Sequence, residues 1–347
     1  MRGPLEGLMS WEPDIEVDVW RSFWDRLDAG DVDRGEAVAV LSSLATRLPD
    51  HATLCNLLAS FDERRRQAPA RWPGSVNIVG TGGGPRTFNI STAAAFVAAA
   101  TGVPVVKTGS RAYTSKLGSV DLLERLGIGL TKSYSDTEDA LADFGVAFAG
   151  QFVYPAALSR LARVILPTSM RWFGKFLNTL GPFLAGLPVA AQLTGVSTAA
   201  PLPRLRQLAA ASADRRIWLC TNDVGADELL GFAENIVYTD TGELRMARGE
   251  LTAGAGTLAD LAPPDDAAAA VDRFLAVVSG DGGETATETV CLNAAAMAVA
   301  GGHAADWAAA VEAARRAVRD GAARDLLDRV RAAGRRTPRP ARAVSGD

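Results

Sequence analysis

Within sixteen residues, Asn77-Ile-Val-Gly-Thr-Gly-Gly-Gly-Pro-Arg-Thr-Phe-Asn-Ile-Ser-Thr92, the chain passes from an apolar strand through a glycine turn into a hydroxyl-rich helix start. Val76, Ile78 and Val79 supply the strand, and residues 93–100 are strong helix formers. Gly80, Gly82, Gly83 and Gly84 let the backbone turn sharply and come close to a ligand. Asn89, Ser91 and Thr92 stand where N-caps stand. Free N–H groups and the positive dipole end make such a helix start an anion site. A strand and helix joined this tightly call for an α/β arrangement, and the turn reads as a phosphate cradle rather than an ordinary capped turn.

A second loop strengthens that reading. Residues 103–106 form a buried strand, followed at once by Lys107-Thr-Gly-Ser-Arg-Ala-Tyr-Thr-Ser-Lys-Leu-Gly-Ser119. Of only four lysines in the chain, two fall here. A loop of cations and hydroxyls at the C-terminal end of a parallel strand suits a pyrophosphate, because ligands of open α/β sheets bind at that edge. Alone it would pass for a solvated polar loop; with the glycine turn it points to a ligand carrying two phosphate groups. Third, Thr221-Asn-Asp-Val-Gly-Ala-Asp-Glu228 follows a strand at 217–220 and sets adjacent carboxylates on a loop. Such hard oxygen ligands suit a Mg2+ ion shared with phosphates, although isolated acidic pairs more often cap or face solvent.

The rest of the chain frames these loops. Residues 17–67 space apolar groups at three and four, as in Val19, Trp20, Phe23, Trp24 and Leu27, which predicts a small helical unit. After a breaker at 71–74, strands at 146–148, 217–220 and 236–238 alternate with helices at 120–126, capped by Ser119, and 136–143. Residues 267–277 and the alanine-rich 293–327 are the closing helices. The expected fold is therefore α/β: a small N-terminal all-helical domain over 1–72, an α/β domain over 73–334 with a mostly parallel sheet, and a frayed tail at 335–347. A net charge of −4 gives no pull toward nucleic acid. Cys55, Cys220 and Cys291 show no metal or redox spacing and read as small hydrophobes of a reducing compartment. The acidic N-terminus argues against export, and glycines and prolines break the uncharged stretches 89–106 and 176–203, so a cytoplasmic protein without membrane contact is expected.

In order and spacing, Gly80-Thr-Gly-Gly83, Asn89-Ile-Ser-Thr92, Lys107 through Arg111, Ser115 through Ser119 and Asp227-Glu228 resemble anthranilate phosphoribosyltransferases. The likeness runs on through Asn178-Thr-Leu-Gly-Pro182 and Leu292-Asn-Ala-Ala-Ala296. It implies that a returning segment near 160–185 completes the helical domain, and that the chain is a homodimer through its helices. It also implies phosphoribosyl pyrophosphate as donor, with Mg2+. Carried over by position, Gly80, Gly82, Gly83, Thr87, Asn89, Ser91, Thr92, Lys107, Arg111, Ser115 and Ser119 hold the donor, while Ser91, Asp227 and Glu228 reach the metal.

The departures fall mostly on the acceptor side. The family's Lys-His-Gly-Asn-Arg loop has Thr108 and Ser110 in place of His and Asn, and its His-Pro-Ala is Tyr154-Pro-Ala156 here. The glycine turn is one residue shorter and reads Gly84-Pro85-Arg86 where the family has Asp-Gly. The arginine that meets anthranilate's carboxylate has no clear counterpart, Arg160, Arg163 and Arg171 being the candidates. With Thr108, Ser110, Tyr154 and Asn178 facing the acceptor, a neutral or cationic acceptor is expected, such as a hydroxyl of an amino sugar or aminocyclitol in specialised, antibiotic-type metabolism. A hydroxyl needs a base, and with only His51 and His303 in the chain, both outside the motifs, Asp223 is the candidate beside Lys107, Asp227 and Glu228. The rival readings are an ordinary anthranilate enzyme, a non-catalytic nucleic-acid binder and a nucleoside phosphorylase.

Overall fold

A computed structural model describes residues 3–109, 118–168 and 174–336. The sequence expectations for Ser110, Arg111, Ser115, Arg171 and residues 337–347 of the C-terminal tail lie outside the described residues, while 335 and 336 end the last helix.

The chain opens with helices α1 (Pro4–Met9), α2 (Val17–Ala29), α3 (Arg34–Thr46) and α4 (His51–Asp62). In α2 the three-and-four spacing buries Trp20, Phe23, Trp24 and Leu27 on one face, and Gly30, left-handed at φ 83°, ends the helix. Trp24 lies 4.4 Å from the Phe61 ring, and its indole N–H donates to Ser60 Oγ at 2.9 Å. Fully burying an apolar side chain of this kind is worth roughly 1.5–3 kcal/mol.

Strand–helix alternation follows: β1 (Trp72–Gly80), α5 (Ile90–Ala100), β2 (Val105–Thr108), α6 (Ser119–Leu126), α7 (Tyr134–Phe144) and β3 (Val146–Ala149). Helices α8 (Ala156–Val164) and α9 (Gly174–Leu184) then return to share a hydrophobic cluster with α2, α3 and α4. Next come β4 (Val189–Gly195), α10 (Leu202–Ala211), β5 (Arg216–Asn222), β6 (Asn235–Tyr238) and β7 (Glu243–Met246). The chain closes with α11 (Ala267–Val278), α12 (Glu284–Ala300), α13 (Trp307–Arg319) and α14 (Ala322–Arg336).

The strands form one sheet ordered β3-β2-β1-β4-β5-β6-β7, parallel from β3 to β5 and antiparallel at β6 and β7. Period-two alternation gives it two covered faces: Ile217 and Leu219 meet the helical cluster, while Trp218 and Cys220 meet the cluster built on α5 and α11 to α14. The sheet is thus mostly parallel, as expected. Two local expectations need correction. Strands β4 and β7 have no counterpart among the expected strands; β4 reads Val-Ala-Ala-Gln-Leu-Thr-Gly, with few β-branched residues, yet lies buried between β1 and β5. The alanine-rich 293–327 run is helical as expected, divided among α12, α13 and α14 by breaks at Gly301-Gly302 and Asp320-Gly321. Ser119 is the first residue of α6, and Gly118 precedes it as the cap.

Helix α5 is sealed: of residues 90–99, every one except Ser91 is buried. Its alanines let α11, α12, α13 and α14 all pack against it. Among the described residues, no helix is long and apolar enough to cross a membrane.

Candidate active site

From β1 the chain first builds outward through β2 and β3, then returns to add β4 on β1's other side. The order reverses at β1, and a crevice opens beyond the C-terminal strand ends at such a reversal. A cavity of about 300 Å3 lies there. Its wall carries Gly80, Gly82, Gly83, Thr87, Asn89 and Ser91 from the glycine turn and the start of α5, Lys107 and Thr108 from the end of β2, Ser119 from α6, Asn178 from α9, and Asp227 with Glu228 beyond β5. Loops distant in sequence are thereby gathered around one space.

The turn is held from both sides. Gly82 has φ 60°, a left-handed conformation that suits glycine, and its N–H donates to Asp227 Oδ2 at 2.9 Å. Ser197, just beyond β4, donates its hydroxyl to Gly82 O at 2.5 Å. Asn89 occupies the N-cap position of α5, but its side chain makes no capping hydrogen bond. Helix α9, which brings Asn178, is tied to the sheet by a buried polar chain. Gln192 donates to Pro182 O at 3.1 Å, Asn77 donates to Gln192 Oε1 at 3.1 Å, and Asn77 Oδ1 accepts the Thr108 N–H at 3.3 Å.

The charges are packed deep. Lys107 is 4% exposed, and its ammonium donates to the carbonyls of Ile78 and Thr108, each at 3.2 Å. Burial lowers its pKa to about 8, against the opposing pull of Asp227 and Glu228. Burial likewise raises Asp227, with the Gly82 N–H acting the other way. Glu228 is pushed well above the carboxylate range by burial and by the neighbouring Asp227 charge. One of its oxygens accepts from Thr87 Oγ1 at 3.1 Å, while Oε2 is buried with no hydrogen-bond partner among the described residues. An orphaned carboxylate oxygen is costly unless something positive meets it. Among the described residues no cluster of three or more His, Cys, Asp or Glu forms an all-protein cage. Two carboxylates and a serine hydroxyl fit an ion such as Mg2+, which keeps part of its shell for water and phosphate.

The approach of Asp227 leaves no room below it. A Cβ built on Gly195 would fall inside the van der Waals radius of the Asp227 carbonyl oxygen, and one on Gly80 would strike the Asp227 carboxylate. Gly195→Ala is expected to displace the whole acidic segment at a cost of roughly 3 kcal/mol. Urea denaturation measures that loss, and an unchanged midpoint would refute the tight contact.

Other sequence-derived assignments fare differently. Thr92 is buried beneath the helix start and is absent from the cavity wall. Asp223 corrects the expectation of a base: it is exposed, it accepts the Glu234 N–H at 3.1 Å, and it ties down its own loop away from the cavity. Tyr154 also does not line the cavity; it packs where the helical cluster meets the one around Trp72 and Val106. Sequence reasoning missed one wall entirely, formed by Pro263, Pro264, Asp265, Asp266 and the first residues of α11. Two prolines and two aspartates before a helix look like a surface loop, so no local signal marked them.

Residues 73–324 match the protein-family model described as "Glycosyl transferase family, a/b domain". The chain is 32% identical over 287 residues to the anthranilate phosphoribosyltransferase of Methylobacterium nodulans, covering 80% of this chain and 82% of that one. The chain belongs to the anthranilate phosphoribosyltransferase family. It is therefore an enzyme of the pentosyl-transferring class. The fold agrees: the crystal structure of the Thermus thermophilus anthranilate phosphoribosyltransferase superposes with a TM-score of 0.81 at 27% identity, covering 96% of this chain and 100% of the other. A Saccharomyces cerevisiae anthranilate phosphoribosyltransferase, solved in complex with PRPP and Mg, has the same fold at a TM-score of 0.75 and 20% identity, each chain 92% covered.

Proposed function

We propose that the cavity binds phosphoribosyl pyrophosphate with Mg2+ and transfers its 5-phosphoribosyl group to a small acceptor, releasing pyrophosphate. The relatives' names make anthranilate the first-ranked acceptor. The observation that carries the reading is the gathering of the glycine turn, the start of α5, Lys107 and the Asp227–Glu228 pair around one switch-point cavity. In this reading the turn and helix start take the phosphates, and Ser91, Asp227 and Glu228 hold Mg2+, which when bound neutralises the departing pyrophosphate. Lys107 stabilises the same growing negative charge. The bond from the ribose anomeric carbon to pyrophosphate breaks, that carbon gains oxocarbenium character, and the acceptor's lone pair forms the new bond to it as the acceptor's N–H or O–H proton leaves to solvent.

A second reading rests on Thr108. It is 1% exposed, lines the cavity, and its hydroxyl has no hydrogen-bond partner among the described residues. It stands where the resemblance puts a histidine, and the described cations of the wall are Arg86 and Lys107 alone. A neutral or cationic acceptor bearing hydroxyl groups, of the aminocyclitol kind, would suit that wall. The test is pyrophosphate release from phosphoribosyl pyrophosphate and Mg2+, with mass detection of the product, offering anthranilate and then aminocyclitols. Release with anthranilate supports the first reading, release with aminocyclitols alone supports the second, and failure to bind the donor sinks both.

The unit boundaries at 1–72 with about 160–185, and 73–334, belong to the same proposal, as does pairing of two copies through the helical unit, where Met9 and Trp11 stand exposed. Sedimentation velocity reads that pairing.

A further inference from the structure

We infer that Asn222, Asn293 and Asn235 are positioning residues for the Asp227–Glu228 pair, and that Asn293 with Asn222 sets how tightly the site holds a divalent cation. The inference rests on the metal reading of that pair.

Between β5 and β6, residues 223–234 form neither helix nor strand. A buried stretch of this kind leaves peptide groups without the partners a ladder or helix would supply. Here three side-chain amides take that role. Asn222, the last residue of β5, accepts the Ala226 N–H at 3.0 Å and donates to Ala226 O at 3.2 Å and Glu228 O at 2.7 Å. Asn293, 1% exposed in the middle of α12, accepts the Leu229 N–H at 3.1 Å and donates to Leu229 O and Thr289 O, both at 2.8 Å. Asn235, the first residue of β6, accepts the Leu230 N–H at 2.9 Å and donates to Leu230 O at 2.8 Å and Ala233 O at 3.0 Å.

Each amide accepts one bond and donates two, three of the four hydrogen bonds an asparagine side chain can make. The brackets fall in sequence along the segment: Asn222 on 226 and 228, Asn293 on 229, Asn235 on 230. They come from three separate elements, so the dipeptide is fixed in position rather than merely tethered. With the Gly195 backbone packed beneath, the two carboxylates meet the cavity with little freedom to readjust. Releasing one bracket lets the pair swing away from an ion, and losing an outer partner of this type typically weakens metal binding about 10–100-fold. A purely structural role would lower stability and leave the ion's affinity alone.

The two roles separate in a Mn2+ titration followed by electron paramagnetic resonance, on the full chain with inorganic pyrophosphate present. Asn293→Ala and Asn222→Ala are each expected to weaken Mn2+ binding about 10–100-fold, with metal-free pyrophosphate binding unchanged. Val311→Ala, a cavity in the core of α13, controls for lost stability and is expected to leave Mn2+ affinity as it is. Should Asn293→Ala fail to fold, Asn222→Ala, at a half-buried strand end, decides the matter by itself. Folded variants that bind Mn2+ within about twofold of the parent overturn the inference while sparing the metal reading. A parent protein that binds no Mn2+ with pyrophosphate overturns both.

Discussion

An Asp227→Asn, Glu228→Gln double variant is expected to fold, to melt above the parent, and to lose at least about a thousandfold in turnover. The amides keep the shapes of the carboxylates, so the Gly82 N–H and the Thr87 hydroxyl retain oxygen acceptors. What disappears is a pair of like charges held in a buried place, each with its pKa raised by that burial. The sign follows. An acid whose pKa is raised in the folded state favours folding at low pH and loses that contribution as pH climbs through the raised value. The variant's advantage in melting temperature should therefore be small in acid and widen toward neutral pH. Differential scanning calorimetry across pH reads that trend, and pyrophosphate release reads turnover. Substantial activity in the double variant would end the assignment of these residues to a metal, whatever its stability.

Lys107→Met should show the same exchange of activity for stability through a cation. Its ammonium has a pKa lowered from 10.5 to about 8 because it is buried, so the folded protein holds that proton less firmly than the unfolded chain does. The penalty is full below pH 8 and fades as pH rises toward 10.5. Methionine fills a similar volume without the charge, which relieves that penalty at neutral pH while giving up the bonds to the Ile78 and Thr108 carbonyls. The gap from the parent should close in alkaline solution. Against that gain, loss of the only described deep cation of the cavity is expected to weaken pyrophosphate binding and to cut turnover about 100–1000-fold. In the parent, pyrophosphate affinity should fall as pH rises through about 8, since the neutral amine no longer attracts the anion. Isothermal titration over that range checks it. A flat profile, or a Met variant that binds pyrophosphate normally, would remove Lys107 from the donor site.

The loops after β1 and β5, and Lys107 with Thr108 at the end of β2, were legible because their chemistry is local: glycines, hydroxyls, a lysine and paired acids stand close to strand ends in the chain. Element identity was legible where apolar period is strong, as in α2, and weak where alanine and glutamine fill a buried strand, as in β4. Asp223 and Asp227 look alike as letters four residues apart on one loop. Only the approach of Gly195 and the reach of the Glu234 amide separate a cavity wall from a loop tie. Ser197, the α11 wall and the asparagine brackets act across more than sixty residues or through backbone contacts, which no short pattern records. Tyr154 shows the opposite error, where a substitution within a recognised motif suggested contact with the acceptor, yet the ring is spent on packing between clusters.

Helix α5 carries a consequence for how such an enzyme can change over generations. Its alanines admit neighbours on every side, so almost any enlarging substitution along it would have to force a neighbouring helix outward. The end of the cavity that α5 presents is thereby closed to gradual experiment. Asn178, also on the cavity wall, rides on α9, whose buried residues belong to the other cluster, and it can be exchanged without unsettling α5. A lineage seeking new partners for an old donor would find its freedom on such a wall rather than along α5.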